Sequence, residues 1–152
     1  MSKKVSVLAA CEARSHLRAH VRAGLTALNT ADIELIHLPE RQRVGDSLAL
    51  DEATRAEQPS AHRWDYVVSI PATGELVGIE PHSARDAEIS VVIQKKKNAA
   101  EYLSAHFVVG HRVARWIWVT RGRVGFSKME RARRLLDQNG IWFAGRIIRS
   151  LG

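Results

Sequence analysis

Four polar residues stand where structure alone would prefer an apolar side chain: Asp65, Glu80, His82 and Lys96, with Glu52 in reserve. Asp65 lies in the apolar run WDYVVSI, Glu80 and His82 close the run ELVGIEPH, and Lys96 falls inside the apolar stripe of the segment that follows. Two carboxylates from neighbouring strands, converging at one end of a sheet, offer the oxygen ligands that a hard divalent cation such as Mg2+ or Mn2+ takes, with positions left for water and phosphate. A lysine beside them positions or deprotonates an attacking water and steadies the charge that grows on phosphoryl oxygens. The implied chemistry is metal-dependent phosphodiester cleavage, with Asp65, Glu80 and Glu52 as metal ligands and Lys96 and His82 in the catalytic group.

Each of these residues also has an ordinary structural reading. Glu80 and His82 can form a strand-end pair that caps the next helix. Asp65 can bond local backbone in a turn, Lys96 can lay its stem along the core and lift its amine outward, and Glu52 can simply be exposed. Only their coincidence sets them apart.

The elements that must position them are legible from period and punctuation. WDYVVSI and ELVGIEPH, joined by PATG, form a hairpin. Alternation puts Asp65, Val67 and Ser69 on one face of the first strand and Ile79 and Glu80 on opposite faces of the second, which Pro81 should end or leave at an edge. A helix from Asp86 to about Phe107 carries Ile89, Val92, Ile93, Ala99, Leu103 and Phe107 at core-facing spacing. Lys96 lies within that stripe, with Lys95 and Lys97 to either flank. ARWIWVT reads as a buried strand, RGR as a tight turn and VGF as the start of its partner. SKMERARRLLDQNG is a helix with a Ser127/Glu130 capping box and a Gly140 stop, and IWFAGRIIRSL is strand-like. Trp116, Trp118 and Trp142 are assigned to the core, while Trp64 is placed to stack on a base.

Upstream, Lys3 to Leu28 has apolar residues at helical spacing, with Arg14, Arg18 and Arg22 in a four-residue series on another face. A long amphipathic helix is expected, its arginine row either a solvated face or a strip facing phosphates. ADIELIHL, residues 31–38, alternates as a strand does, and the segment from Asp46 or Ser47 to Pro59 is expected as a short helix. The chain is most simply one domain, in which residues 1–45 either belong to the core or form a helical extension of a core over 46–152.

Composition narrows the function classes. The chain has 152 residues, 45% apolar and 26% charged, an ordinary balance for a folded domain. One cysteine excludes an internal disulfide, and neither a charged-then-apolar leader nor a run of about 18 apolar residues is found, so a cytoplasmic location without a membrane partner is expected. The CxxC pair, HExxH and glycine phosphate loop of zinc hydrolases and nucleotide binders are missing. His16 and His20, at i and i+4, have no evident third metal ligand. The net charge of +7 favours polyanions, so nucleic acid or an acidic protein is the expected partner, with Arg14, Arg18, Arg22, Lys95 and Lys97 as candidate contacts.

The helix, hairpin, helix and strand between about Asp46 and Thr120 resemble the core of the PD-(D/E)XK nuclease superfamily, over about half the chain. The resemblance implies an α/β fold with a small mixed β-sheet flanked by helices, a restriction-endonuclease-like core. By position Glu52 matches the helix acid of that superfamily, Asp65 the first strand acid and Glu80 the second. His82 stands where the strand lysine belongs, and Lys96 resembles the lysine that some members carry on the following helix. The spacing ExHxxxxxE, from Glu80 to Glu88, is also similar to bacterial proteins of this general kind. Two functions follow as expectations: a divalent-metal-dependent endonuclease, or a catalytically inactive binding or scaffold protein.

Overall fold

The computed structural model describes residues 5–152. Its centre is the expected hairpin, β3 (Tyr66–Ile70) and β4 (Glu75–Pro81), paired antiparallel from Tyr66 opposite Ile79 to Ile70 opposite Glu75. The PATG turn closes through the amides of Thr73 and Gly74, both donating to the Ile70 carbonyl, with Gly74 at φ +72°. β2 (Asp46–Ala49) pairs antiparallel with β3, and β1 (Val21–Ala23) with β2. On the other side of β4 lie β6 (Val113–Val119) and then β8 (Ile141–Gly145), both parallel. The result is a mixed six-stranded sheet in the order β1-β2-β3-β4-β6-β8. Parallel neighbours need crossovers, supplied by α5 (Asp86–His106) between β4 and β6 and by α6 (Met129–Gln138) between β6 and β8.

Short pieces complete the α/β fold: α1 (Val7–Ala10), a 3-10 turn over His16–His20, α2 (Thr30–Ile33), α3 (Leu38–Arg41) and α4 (Leu50–Thr54). β5 (Ala84–Arg85) and β7 (Val124–Gly125) form a separate parallel ladder that ties the loops beyond β4 and β6 together.

Strand alternation divides the core in two. Leu48, Val67, Leu76, Trp116, Trp118, Ile141 and Phe143 face Val92, Ala99 and Leu103 of α5 and Leu136 of α6. Tyr66, Val68, Ile70, Val77, Ile79, Ile117 and Val119 face Leu35, Ile36, Ile148 and Leu151. Trp64 is fully buried, edge-on to Trp116 at 5.0 Å, with its Nε1 donating to the Tyr66 carbonyl. It is therefore a core residue with no free face for a base. Trp142 reverses the other way: on edge strand β8 its side chain is 43% exposed.

The first 45 residues differ most from expectation. Lys3 and Lys4 lie outside the described residues; from Val5 onward no long helix forms. Ser6 Oγ accepts the Ala9 N–H and Ser15 Oγ the Leu17 N–H, so each short turn is closed by its own hydroxyl. Val7, Ala10 and Leu17 reach the core, and Val21–Ala23 extends the sheet, so this segment is part of the core and not a helical arm. Asn29 caps α2 by accepting the Asp32 N–H, which turns the alternating ADIELIHL into helix followed by a single bridge, Ile36 to Ile148. The expected helix from Asp46 begins instead as β2, because Leu48 and Ala49 fill opposite core faces; α4 is the remainder. Asp46, expected as that helix's cap, accepts the Val7 and Leu8 amides of α1. Downstream, VGF does not pair back on β6, and Ser127 bonds the Asp86 carboxylate instead of capping α6.

Gly78 sits where the two tryptophans close over β4: a Cβ there would lie 2.8 Å from Trp116 Cε3 and 3.0 Å from Trp64 Nε1. Neither indole can retreat from a filled core, so Gly78→Ala is expected to destabilise the protein by about 1–3 kcal/mol. Urea unfolding measures this.

Candidate functional site

The hairpin register sets Asp65, one residue before β3, across from Glu80. Glu80 has no solvent exposure. Its Oε1 accepts the Asp65 backbone N–H at 2.9 Å, and its Oε2 accepts the Lys95 ammonium at 2.6 Å. His82 Nδ1 lies 3.3 Å from the same Oε2, and its Nε2 lies 3.4 Å from Glu88 Oε2 in the first turn of α5. The imidazole is held by its own backbone: the His82 N–H donates to the Val119 carbonyl, and its carbonyl accepts Trp118 Nε1.

This is a buried charge network in which the acid has partners on both oxygens, the condition for tolerating a carboxylate away from water. Burial, reinforced by the Glu80 charge, pushes the Asp65 carboxyl up to about 8, while Lys95 pulls it back in part. Bonding to Glu80 holds the His82 imidazole above its ordinary value against the opposing effect of burial.

Above the network, at the carboxyl ends of β4 and β6, opens a cavity of about 880 Å³ whose lining includes Asp32, Asp65, His82, Thr120, Arg121 and Arg123. That crevice is where open α/β sheets carry ligands. Asp32 is buried; it accepts the Tyr66 hydroxyl at 2.6 Å and Arg121 Nη2 at 2.7 Å. Thr120 is fully buried, and its Oγ1 has no partner among the described residues. Arg85 and Arg123 are exposed and line the same cavity as Asp32 and Asp65. A smaller cavity of about 350 Å³ shares Asp32 and Asp65 and adds Asp51, Glu52 and Arg55.

Of the residues singled out by sequence, Asp65, Glu80 and His82 come together. The lysine does not: Lys95, assigned to a flank and to nucleic acid, is the inward one, its side chain only 15% exposed. Lys96 lies instead with its Nζ 5.9 Å from the Trp116 ring centre, beside Gly140. The two lysines flank the line Val92–Ala99–Leu103 at roughly 60° and 40° on a helix turning about 100° per residue, and the flank over the end of β4 is that of Lys95. Glu52 is exposed and borders Asp65 only in the smaller cavity. Among the described residues no third acid joins Asp65 and Glu80 with donor atoms within 4.8 Å of one another.

The arginine row dissolves with its helix. Arg14 is exposed, Arg18 Nη1 donates to the Leu8 and Cys11 carbonyls, and Arg22 Nη1 to those of Ala19 and Val21. Lys97 remains exposed. Asp32, Glu88, Thr120 and Arg121 were not visible as site residues: ADIELIHL reads as a strand and RGR as a turn. The one signal was Glu88 in the Glu80-to-Glu88 spacing. Comparison of the chain with protein-family models, curated proteins and solved structures found no match.

Removing the Lys95 charge strands the Glu80 carboxylate, so Lys95→Met is expected to cost about 3–5 kcal/mol. Lys96→Met should cost under about 1 kcal/mol, having no buried acid to abandon; paired denaturation curves decide between them. An acid whose folded value is raised holds its proton more tightly in the native chain. The Asp65 contribution to stability is therefore present in full below 3.8 and lost as pH rises towards about 8. His82, also raised, adds a loss of the same sign from about 6.5 upward. Asp65→Asn should accordingly raise the melting temperature more at pH 8.5 than at pH 5.

Proposed function

We propose that the cavity at the ends of β4 and β6 binds a nucleic-acid phosphodiester and that the protein is a divalent-metal-dependent endonuclease. The observation that carries this reading is the meeting of Glu80 with Lys95 across 2.6 Å, with Asp65 alongside at an open cavity. The order of α4, the β3–β4 hairpin, α5 and β6 supports a restriction-endonuclease-like core. The donor chemistry suits a hard cation: Asp65 lines the cavity and its backbone N–H bonds the Glu80 carboxylate, so two acids are held at one end of the sheet. Mg2+ or Mn2+, held by Asp65 and Glu80, would polarise the phosphoryl oxygen.

The chain's own groups would divide the remaining work. Lys95, fixed by Glu80, presents an ammonium where charge develops on the phosphate. His82, oriented by Trp118 and Val119 and held towards its protonated form by Glu80, replaces the strand lysine as a nearby proton donor. Arg123 and Arg85 on the rim meet flanking phosphates by bidentate contact. Among the described residues no helix is long and apolar enough to cross a membrane, and a cytoplasmic site of action accompanies this proposal.

One observation favours a second reading, in which the protein binds nucleic acid or an acidic protein partner without cutting. Both Glu80 oxygens already have partners in the chain, which lowers their availability to a cation. Incubation of DNA and RNA with Mg2+ or Mn2+ separates the two. Cleavage is expected, falling at least roughly a hundredfold in Asp65→Asn, with circular dichroism confirming the fold. Binding that falls steeply with salt and weakens in Arg123→Ala, without cleavage, would establish the second reading. No affinity for either polymer at low salt would exclude both nucleic-acid readings.

A further inference from the structure

Away from this cavity, three side chains from distant parts of the sequence converge: His16 in the 3-10 turn, Glu57 after α4, and His106 at the last turn of α5. Their donor atoms all lie within 4.8 Å of one another. We propose that they form a site for a first-row transition metal of the zinc class, separate from the acid pair under the cavity.

The donor set is two imidazoles and one carboxylate, which suits zinc and is poorly matched to magnesium. His16 Nε2 lies 2.5 Å from Glu57 Oε1 and 2.7 Å from the Tyr102 hydroxyl, so a single nitrogen is shared between two oxygens. Bonds to zinc of about 2.0–2.2 Å require neighbouring donors to part to roughly 3–3.5 Å. The His16 and Glu57 side chains, 41% and 46% exposed, have room to do so. His106 is already set: Nδ1 bonds Ser15 Oγ at 2.8 Å, which leaves Nε2 as the free nitrogen and supplies the outer hydrogen bond that orients ligating histidines. Its ring stacks on Tyr102 at 4.3 Å, which restricts rotation. His20 stands edge-on to His16 with ring centres 6.0 Å apart and is not one of the three converging donors. A bound ion would fasten the segment before β1 to the far end of α5.

Calorimetric titration of the full chain with Zn2+ tests this. One saturable site is expected, weakened at least roughly tenfold in His16→Ala and in His106→Ala and unchanged in Asp65→Asn. Zn2+ should also raise the melting temperature of the wild type and leave that of the His16→Ala/His106→Ala double variant in place. Absence of saturable binding, or binding that survives in the double variant, would overturn the proposal. Loss of nuclease activity in Asp65→Asn with zinc binding intact keeps it distinct from the reading of the cavity.

Discussion

A carboxylate with no solvent exposure, next to the end of a central strand, constrains everything around it. Glu80 lies where β4 passes from antiparallel pairing with β3 to parallel pairing with β6 alone, and its charge is tolerable only if both oxygens are bonded. One bond comes from the Asp65 amide, which fixes how the chain enters β3. The other comes from Lys95, which fixes the rotation of α5 over the sheet. His82 and Glu88 extend the same network around the loop that joins β4 to α5. The site and the α5–sheet packing are therefore a single electrostatic unit.

The cavity inherits its character from that unit. Asp65 gives its backbone N–H to Glu80 and keeps its side chain at the cavity, where a neighbouring acid makes ionisation costly. Asp32, on the opposite sheet face, holds Arg121 at the rim while Tyr66 occupies its second oxygen. The space is thus lined by the acids Asp32 and Asp65 together with the arginines Arg85, Arg121 and Arg123.

Legibility followed element length and the number of residues voting for each. The hairpin and β6 each have a run of apolar residues bounded by proline or glycine, and α5 has a core stripe more than four turns long; all three form where expected. Before Asp46 the elements have three to five residues, and single side chains outweigh period there. Ser6, Ser15 and Asn29 each close a local turn, an alternative to longer helix or strand that a periodicity count does not weigh. β2 shows the converse: a segment with helix-cap residues became a strand because the sheet had places for Leu48 and Ala49.

By itself the sequence determined that Asp65 and Glu80 would sit opposite each other, since turn length and side-chain alternation set a hairpin's register locally. It likewise determined that a lysine from the following helix would be close to the apolar face. Which lysine was decided only in three dimensions. Lys95 and Lys96 flank the stripe almost equally, and the choice depends on how the helix rolls against Trp116 and the end of β4, a contact between residues far apart in the chain. The same holds for His16, Glu57 and His106, whose separation in sequence carries no trace of their meeting: local pattern reports neighbours along the chain, whereas packing creates neighbours across it.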